Sequence, residues 1–445
     1  MLTALRRLSP LRAILVAFTT AVWVGVGLLM LPIAKRGPGG ASFLEAFFTA
    51  TSAICVTGLT TVDTEHYWTP FGQVIIMALI QVGGFGVMTL ATFIGFAVLG
   101  KLSLRSKLTA ATEAHTAGPG GLGEVLKGIV LASLLIESVT AATLTLRFWV
   151  GYPYSLPEAA WRGVFHAVSS FNNAGFALYS DNIMRFVGDP WICLPLAAAT
   201  ILGGLGFPVL LQLKRCGIDV MRWSMNTRLV IVLSPILLLG GWLFIGVLEW
   251  SNPGTLGPLS WPDKLLASFF HSVQTRTSGF NSVDIGAMHG ATRLGMDVLM
   301  FIGGGPAGTA GGIKVTTFAV LFFIIWTELR GDTAVHIFGK RLSRAVHRQA
   351  ISVALLAVAL VVMSTMALLL LTPFTLDVVL FEVVSSFGTV GLSTGITAAL
   401  DPVSQLVLCF LMYVGRLGPI TFASALALTP RRRLFELPKE RPIIG

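Results

Sequence analysis

The chain has 445 residues, 54% of them hydrophobic and only 12% charged, with a net charge of +10 and a mean hydropathy of +0.80. So little charged surface excludes an ordinary soluble protein of this size and makes the chain a polytopic membrane protein. In a soluble protein the positive charge would raise nucleic acid as a partner; here its placement along the chain points to a lipid bilayer instead.

Apolar runs at 14–33, 71–99, 129–150, 191–213, 229–248, 294–326, 351–371 and 406–428 each reach the roughly 20 residues that a spanning helix needs, giving eight spans. The first follows Arg6, Arg7 and Arg12 but has no good small-residue cleavage site, so it reads as a retained span rather than a signal peptide. Basic residues collect in the N-terminus and at 101–107, 214–228, 330–348 and 431–441, all on one side if the spans pair. Asp63, Glu65, Glu158, Asp181, Asp189, Asp284 and Asp401 fall on the other. The bias of Lys and Arg toward the cytoplasm predicts a cell-membrane protein with both termini in the cytoplasm. Cys55, Cys193, Cys216 and Cys409 are scattered, with neither disulfide-framework nor metal-site spacing, and no transition metal is expected.

Between the spans of each pair lies a shorter apolar stretch, at 42–55, 157–171, 262–275 and 374–387. These are too short to cross and read as helices that enter the membrane and stop. Three carry a start signal of hydroxyl and early carboxylate: Ser155 with Glu158, Ser260 with Asp263, and Thr375 with Asp377.

Each short stretch is followed by a glycine in related surroundings: Val56-Thr57-Gly58-Leu59, Asn173-Ala174-Gly175-Phe176, Thr277-Ser278-Gly279-Phe280 and Thr389-Val390-Gly391-Leu392. The glycines fall 117, 104 and 112 positions apart. The reading is an all-α fold of four parallel span, short helix, loop, span repeats around a central pore. Their bounds are 1–100, 101–215, 216–345 (second span broken at 303–313) and 346–430, with a basic cytoplasmic tail at 431–445. A single such glycine is common in helix packing. Four at matched depth make a different case, because extended backbone inside a membrane is tolerated only against protein or a water-filled cavity. Thr389-Val390-Gly391 is also similar to the filter loop of potassium channels, where carbonyls replace the water around a cation.

These four loops are the residues on which the chain resembles the Trk/Ktr/HKT superfamily of potassium transporters, over about 14–428. Val56-Thr57-Gly58-Leu59 with Val62-Asp63-Thr64, and Asn172-Asn173-Ala174-Gly175-Phe176, are most similar to the Ktr membrane subunit. The resemblance implies potassium as substrate, with sodium as an activator. It implies a homodimer seated on a cytoplasmic nucleotide-binding regulatory subunit, with nucleotide acting only through that partner and no covalent cofactor. Glycine in all four loops resembles members that prefer potassium; members with serine in the first loop tend to carry sodium.

Gly303-Gly304-Gly305-Pro306-Ala307-Gly308-Thr309-Ala310-Gly311-Gly312-Ile313-Lys314 must break the sixth span, since glycine costs about 0.8–1.0 kcal/mol and proline about 3 in a helix. It is not a phosphate-binding loop, because Ile313 separates Gly312 from Lys314 and no strand precedes it. In the family it resembles an intramembrane gate beneath the filter; a packing hinge is the alternative. Arg416, mid-span, costs roughly 2.5–3.5 kcal/mol there. The resemblance sets it just below the filter, as a barrier to ions or as an anchor on the short helices' terminal carbonyls. Lys314 is expected to meet Glu137 or water, Arg276 and Glu382 form a conceivable buttressing pair, and His166 and His271 read as core hydrogen-bonders. No catalytic constellation, ATP site or cytoplasmic domain is read, so transport is expected to run down electrochemical gradients. A Trk-type proton- or sodium-coupled symporter and a non-transporting scaffold or lipid enzyme remain the other classes.

Overall fold

A computed structural model describes residues 10–100 and 121–418. The basic clusters at the N-terminus, 101–107 and 431–441, the tail at 431–445 and the far end of the last expected span lie outside them. The order is α1 (Pro10–Leu29), α2 (Phe43–Ile54), α3 (Pro70–Gly100), α4 (Gly121–Gly151), α5 (Leu156–Phe171), α6 (Pro190–Leu205), α7 (Phe207–Cys216), α8 (Met225–Glu249), α9 (Trp261–Gln274), α10 (Gly290–Phe301) and α11 (Val315–Arg330). A hairpin of β1 (His336–Ile337) and β2 (Lys340–Arg341) leads to α12 (Arg344–Leu371), α13 (Leu376–Gly388) and α14 (Pro402–Leu417). Among the described residues, Lys127–Gly151, Met225–Glu249 and Arg344–Leu371 are long and apolar enough to cross a membrane, and the bent pair α6 and α7 makes a fourth if counted as one span.

Polarity runs inside out. Leu370 is 86% exposed and Val247 75%, whereas Ser169, His166, His271, Gln274, Glu382 and Ser385 are fully buried. A water-facing protein would reverse this; a lipid-facing one hides its polar groups in the centre.

The four expected short stretches are the helices α2, α5, α9 and α13. Each packs against the helix that follows the preceding short helix, α5 on α3, α9 on α6, α13 on α10 and α2 on α14, so the packing closes in a cycle. Their starts differ from expectation. The fullest cap belongs to α2, whose Ser42 hydroxyl accepts from Glu45 N–H while the Glu45 carboxylate accepts from Ser42 N–H. Ser260 caps α9, but Ser155 makes no side-chain cap bond and the Thr375 hydroxyl turns to Asp377, 2.6 Å away.

The expected continuous span at 191–213 is broken. α6 and α7 meet at Gly206 with a 92° bend. The reason lies in Gly203-Gly204-Leu205-Gly206-Phe207-Pro208: Gly206 takes φ +91°, and Pro208, without an N–H, begins a new helix better than it continues an old one.

Candidate functional site

The short helices end immediately before the four loops, and there the backbone leaves ordinary space in the same way four times. Val56 (φ 54°), Asn173 (61°), Thr277 (85°) and Thr389 (49°) lie in the left-handed region, as do Gly58 (90°), Gly175 (69°), Gly279 (77°) and Gly391 (91°) two positions later. Such a conformation is an outlier for a β-branched residue, and three of the four non-glycines are β-branched. Four outliers at one offset mark a built feature.

Alternation of this kind turns the N–H groups back to the short helices. Thr57 N–H donates to Ser52 O at 2.8 Å, Ala174 N–H to Ser169 O at 2.7 Å, Val390 N–H to Ser385 O at 2.8 Å, and Ser278 N–H to Gln274 O at 3.2 Å. The Ser52 and Ser385 hydroxyls accept from Gly58 and Gly391 N–H at 3.1 Å.

The loops then meet one another. A Cβ built on Gly58 would sit on the carbonyl oxygen of Ala174, on Gly175 that of Ser278, on Gly279 that of Val390, and on Gly391 that of Thr57. The contacts run from each loop to the next and return to the first, a closed ring of four glycines and four carbonyls. Glycine is required by φ and by the close approach together. The carboxyl ends of the short helices, partially negative from the summed peptide dipoles, point at this ring.

The glycine-dense break is an excursion pinned at its base. Ile302 and Ile313 form a parallel bridge, with Gly303 N–H donating to Ile313 O at 2.8 Å. Ala307 (φ 56°) and Gly312 (63°) take the turns. Gly305 N–H donates to Gly204 O at 2.8 Å, Thr309 N–H to Gly203 O at 3.2 Å, and Phe207 N–H to Ala307 O at 3.3 Å, locking the excursion into the bend between α6 and α7. Gly304 and Gly308 also abut Gly204 O, and a Cβ on Gly311 would strike the Thr389 hydroxyl. The Thr309 hydroxyl lies 2.8 Å from the Asn173 carboxamide, whose other end reaches Thr277 Oγ1 at 3.2 Å.

Two buried arginines hold the same excursion. Arg276 donates to Gly303 O at 3.0 Å, and Arg416 to Thr309 O and, at 2.9 Å, to Gly83 O of α3. This corrects two expectations. The carbonyls that Arg416 anchors are those of the excursion and α3 rather than the ends of the short helices, three of which are abutted by Gly83, Gly203 and Gly415 at Ile54, Phe171 and Phe387 O. Arg276 does not pair with Glu382, whose carboxylate is filled by Ser393, Thr394 and Thr397.

Lys314 bonds the Ala310 and Gly311 carbonyls, and Glu137 is elsewhere, taking Gln81 Nε2 at 3.0 Å and Asn172 Nδ2 at 3.1 Å. Glu137 makes no ion pair among the described residues. Neither that network nor the α6–α7 bend is among the expectations from the sequence, although Gly203-Gly204-Leu205-Gly206 is a readable signal for the bend. His166 and His271 are hydrogen-bonders, as expected: His166 Nε2 accepts from Leu178 N–H and His271 Nε2 from Ser282 and Val283 N–H, each at 3.2 Å.

Beyond Gly58 and Gly175 opens a cavity of about 220 Å³ lined by Thr60, Thr61, Asp63, Ser180 and Asn182. Burial raises the Asp63 pKa, but hydrogen bonds from Ser180 (2.5 Å) and from the His66 and Glu65 backbone outweigh it and hold the carboxyl below its usual range.

The family model described as TrkH, cation transport protein, matches residues 39–437. Ktr system potassium uptake protein B of Bacillus subtilis is 38% identical over 434 residues, 96% of this chain and 95% of that protein. The protein of the same name from Vibrio alginolyticus is 37% identical, over 98% of this chain and 94% of its own length. Potassium/sodium uptake protein NtpJ of Enterococcus hirae is 32% identical, covering 99% and 98%. The crystal structure of the potassium transporter TrkH from Vibrio parahaemolyticus superposes with a TM-score of 0.75 at 18% identity, over 94% of this chain and 84% of that one, which establishes a shared fold. With a family model covering most of its length and relatives of this identity over nearly all of it, the chain belongs to the TrkH family of cation transport proteins.

Proposed function

We propose that the chain is a channel-like potassium uptake protein of the cell membrane, related to the Ktr membrane subunit. The ion is undressed by backbone carbonyls around Gly58, Gly175, Gly279 and Gly391. The observation that carries this is the closed cycle of loops, each with two left-handed residues at one offset and its N–H groups turned to its own helix. Carbonyls freed in this way are the groups that replace a monovalent cation's hydration shell. The four segments are parallel repeats, 1–100, 101–215, 216–345 and 346–430, around one axis.

Residues 303–314 form the gate, held shut by Arg416 and by the Asn173–Thr309 contact. Both termini are cytoplasmic, the protein is a homodimer, and a cytoplasmic nucleotide-binding subunit sets the gate, as the naming of the Ktr relatives as parts of a system favours. Sodium acts as an activator, a reading that the potassium/sodium uptake relative supports. A negative-inside potential supplies about 2.3 kcal/mol per charge per 100 mV, enough to concentrate a monovalent cation roughly fiftyfold. The second reading, a proton- or sodium-coupled symporter, draws on Glu137, a buried carboxylate with neutral partners.

Rubidium uptake into proteoliposomes at fixed potassium-diffusion potentials, with and without sodium, tests this. Uptake should follow voltage without a fixed co-ion ratio. A constant proton or sodium stoichiometry would establish the symporter, and silent vesicles would remove the transport reading.

A further inference from the structure

The loops are fastened on one side by their short helices, through the N–H bonds that precede each glycine. The segment after each glycine needs a second fastening, or the ring would be open to distortion from that side. In three segments a buried side chain of the short helix, eight or nine residues before the glycine, supplies it.

His166 on α5 accepts from Leu178 N–H, His271 on α9 from Val283 N–H, and Glu382 on α13 from Thr394 N–H at 2.9 Å. In each case the N–H lies 12 residues beyond the side chain. All three side chains are fully buried. His166 and Glu382 stand nine residues before their glycines and His271 eight. The chemistry required is the same throughout: an acceptor aimed at a backbone N–H. For His166 the tautomer follows, since Nδ1 lies 2.7 Å from Arg162 O and must donate to it, leaving Nε2 to accept. Glu382 goes further, also taking the hydroxyls of Ser393 (2.6 Å) and Thr397 (2.9 Å).

At the matching place in α2, nine residues before Gly58, stands Thr49. It is 2% exposed and its hydroxyl has no hydrogen-bond partner among the described residues. Among the described residues the first loop lacks this acceptor-to-N–H tie; its later segment reaches α2 only farther on, through the Tyr67 hydroxyl on Glu45.

We propose that His166, His271 and Glu382 are positioning residues for ion selection: each ties the segment after a filter glycine to its own short helix and so fixes the size of the carbonyl ring. The first loop is the compliant quadrant. This rests on the carbonyl-filter reading. A ring that discriminates between cations must hold its oxygens within a fraction of an ångström, and a site left loose by its supporting shell loses that discrimination first.

The experiment measures rubidium and sodium influx into proteoliposomes for His271→Leu, His271→Gln and Glu382→Gln. Leucine removes the acceptor and leaves two buried N–H groups unpaired, so the rubidium-to-sodium flux ratio should fall by about fivefold or more. Glutamine keeps an oxygen acceptor near the Nε2 position and should restore the ratio to within about twofold of the parent. Glu382→Gln, which keeps volume but weakens the acceptor, should give an intermediate fall of about two- to threefold, and answers the question if the leucine variant does not assemble. A merely structural role would lower both fluxes together and leave the ratio alone. An unchanged ratio in His271→Leu or in Glu382→Gln, at parental protein level, overturns the proposal; a parent protein with no discrimination would instead overturn the filter reading beneath it.

Discussion

The four glycine loops and the 303–314 excursion are both non-helical backbone buried among helices, yet they are held in opposite ways. Each loop is fastened to its own short helix, by bonds such as Thr57 N–H to Ser52 O and Gly391 N–H to the Ser385 hydroxyl, within a few residues of chain. The excursion is pinned at its base by Ile302, Ile313 and the Arg276 bond to Gly303 O, but its tip leans on groups brought from elsewhere: Gly203 and Gly204 O from α6, Asn173, and Arg416 from α14. Contacts that arrive from separate elements are lost when those elements shift; contacts within one turn are not. The loops are held locally and the excursion from a distance, the division that the proposed filter and gate require.

The largest expected effect comes from breaking the self-held part. Gly391→Ser forces a side chain into φ +91° and places its Cβ on Thr57 O, so the loop must move. The left-handed conformation alone costs about 1–2 kcal/mol in a residue with a Cβ, and the collision adds to it. The rubidium-to-sodium ratio should drop by about tenfold or rubidium flux should vanish. A variant that transports with the parental ratio would show that Gly391 is not in the selecting ring.

Arg416→Ala cuts a borrowed contact and should act on the other property. Removing the bonds to Thr309 O and Gly83 O frees the tip, so inward rubidium flux at fixed voltage should rise by about tenfold or more, the equivalent of the roughly 1.5–3 kcal/mol typical of a charged hydrogen bond, while the rubidium-to-sodium ratio holds. If the ratio falls with the flux, Arg416 supports the loops rather than the excursion, and the division between the two regions is wrong.

Much of this was legible in the chain because its strongest signals are local. A short apolar stretch followed by a glycine, four times, needs only length and backbone freedom to be read, and α2, α5, α9 and α13 all fall where those stretches placed them. Glycine density likewise located the break after Phe301. What was not legible depends on elements brought together from far apart. Arg416 reaches Gly83, Glu137 reaches Gln81 and Asn172, and Arg276 and Glu382 find separate partners. No periodicity encodes which carbonyl a buried arginine will meet. The bend at Gly206 is a different failure: its three glycines and a proline were visible, but the apolar run around them reads as one span when hydropathy is weighed alone.

The smallest expected effect tests how far the self-held region extends. Ser42 and Glu45 close a reciprocal cap at the first turn of α2, while the bonds that hold the Val56–Gly58 backbone come from Ser52 and Ala53 at its last turn. Ser42→Ala should therefore cost about 1 kcal/mol of stability, read as a slightly lower melting temperature in detergent, with flux and ion ratio unchanged per folded molecule. α2 has 12 residues, and rigid packing of Ala46, Phe48 and Ala50 separates its two ends. A shifted ion ratio in Ser42→Ala would mean that disturbance travels the length of the helix into the loop. The Val56–Gly58 loop would then be held by the whole short helix rather than by its final turn.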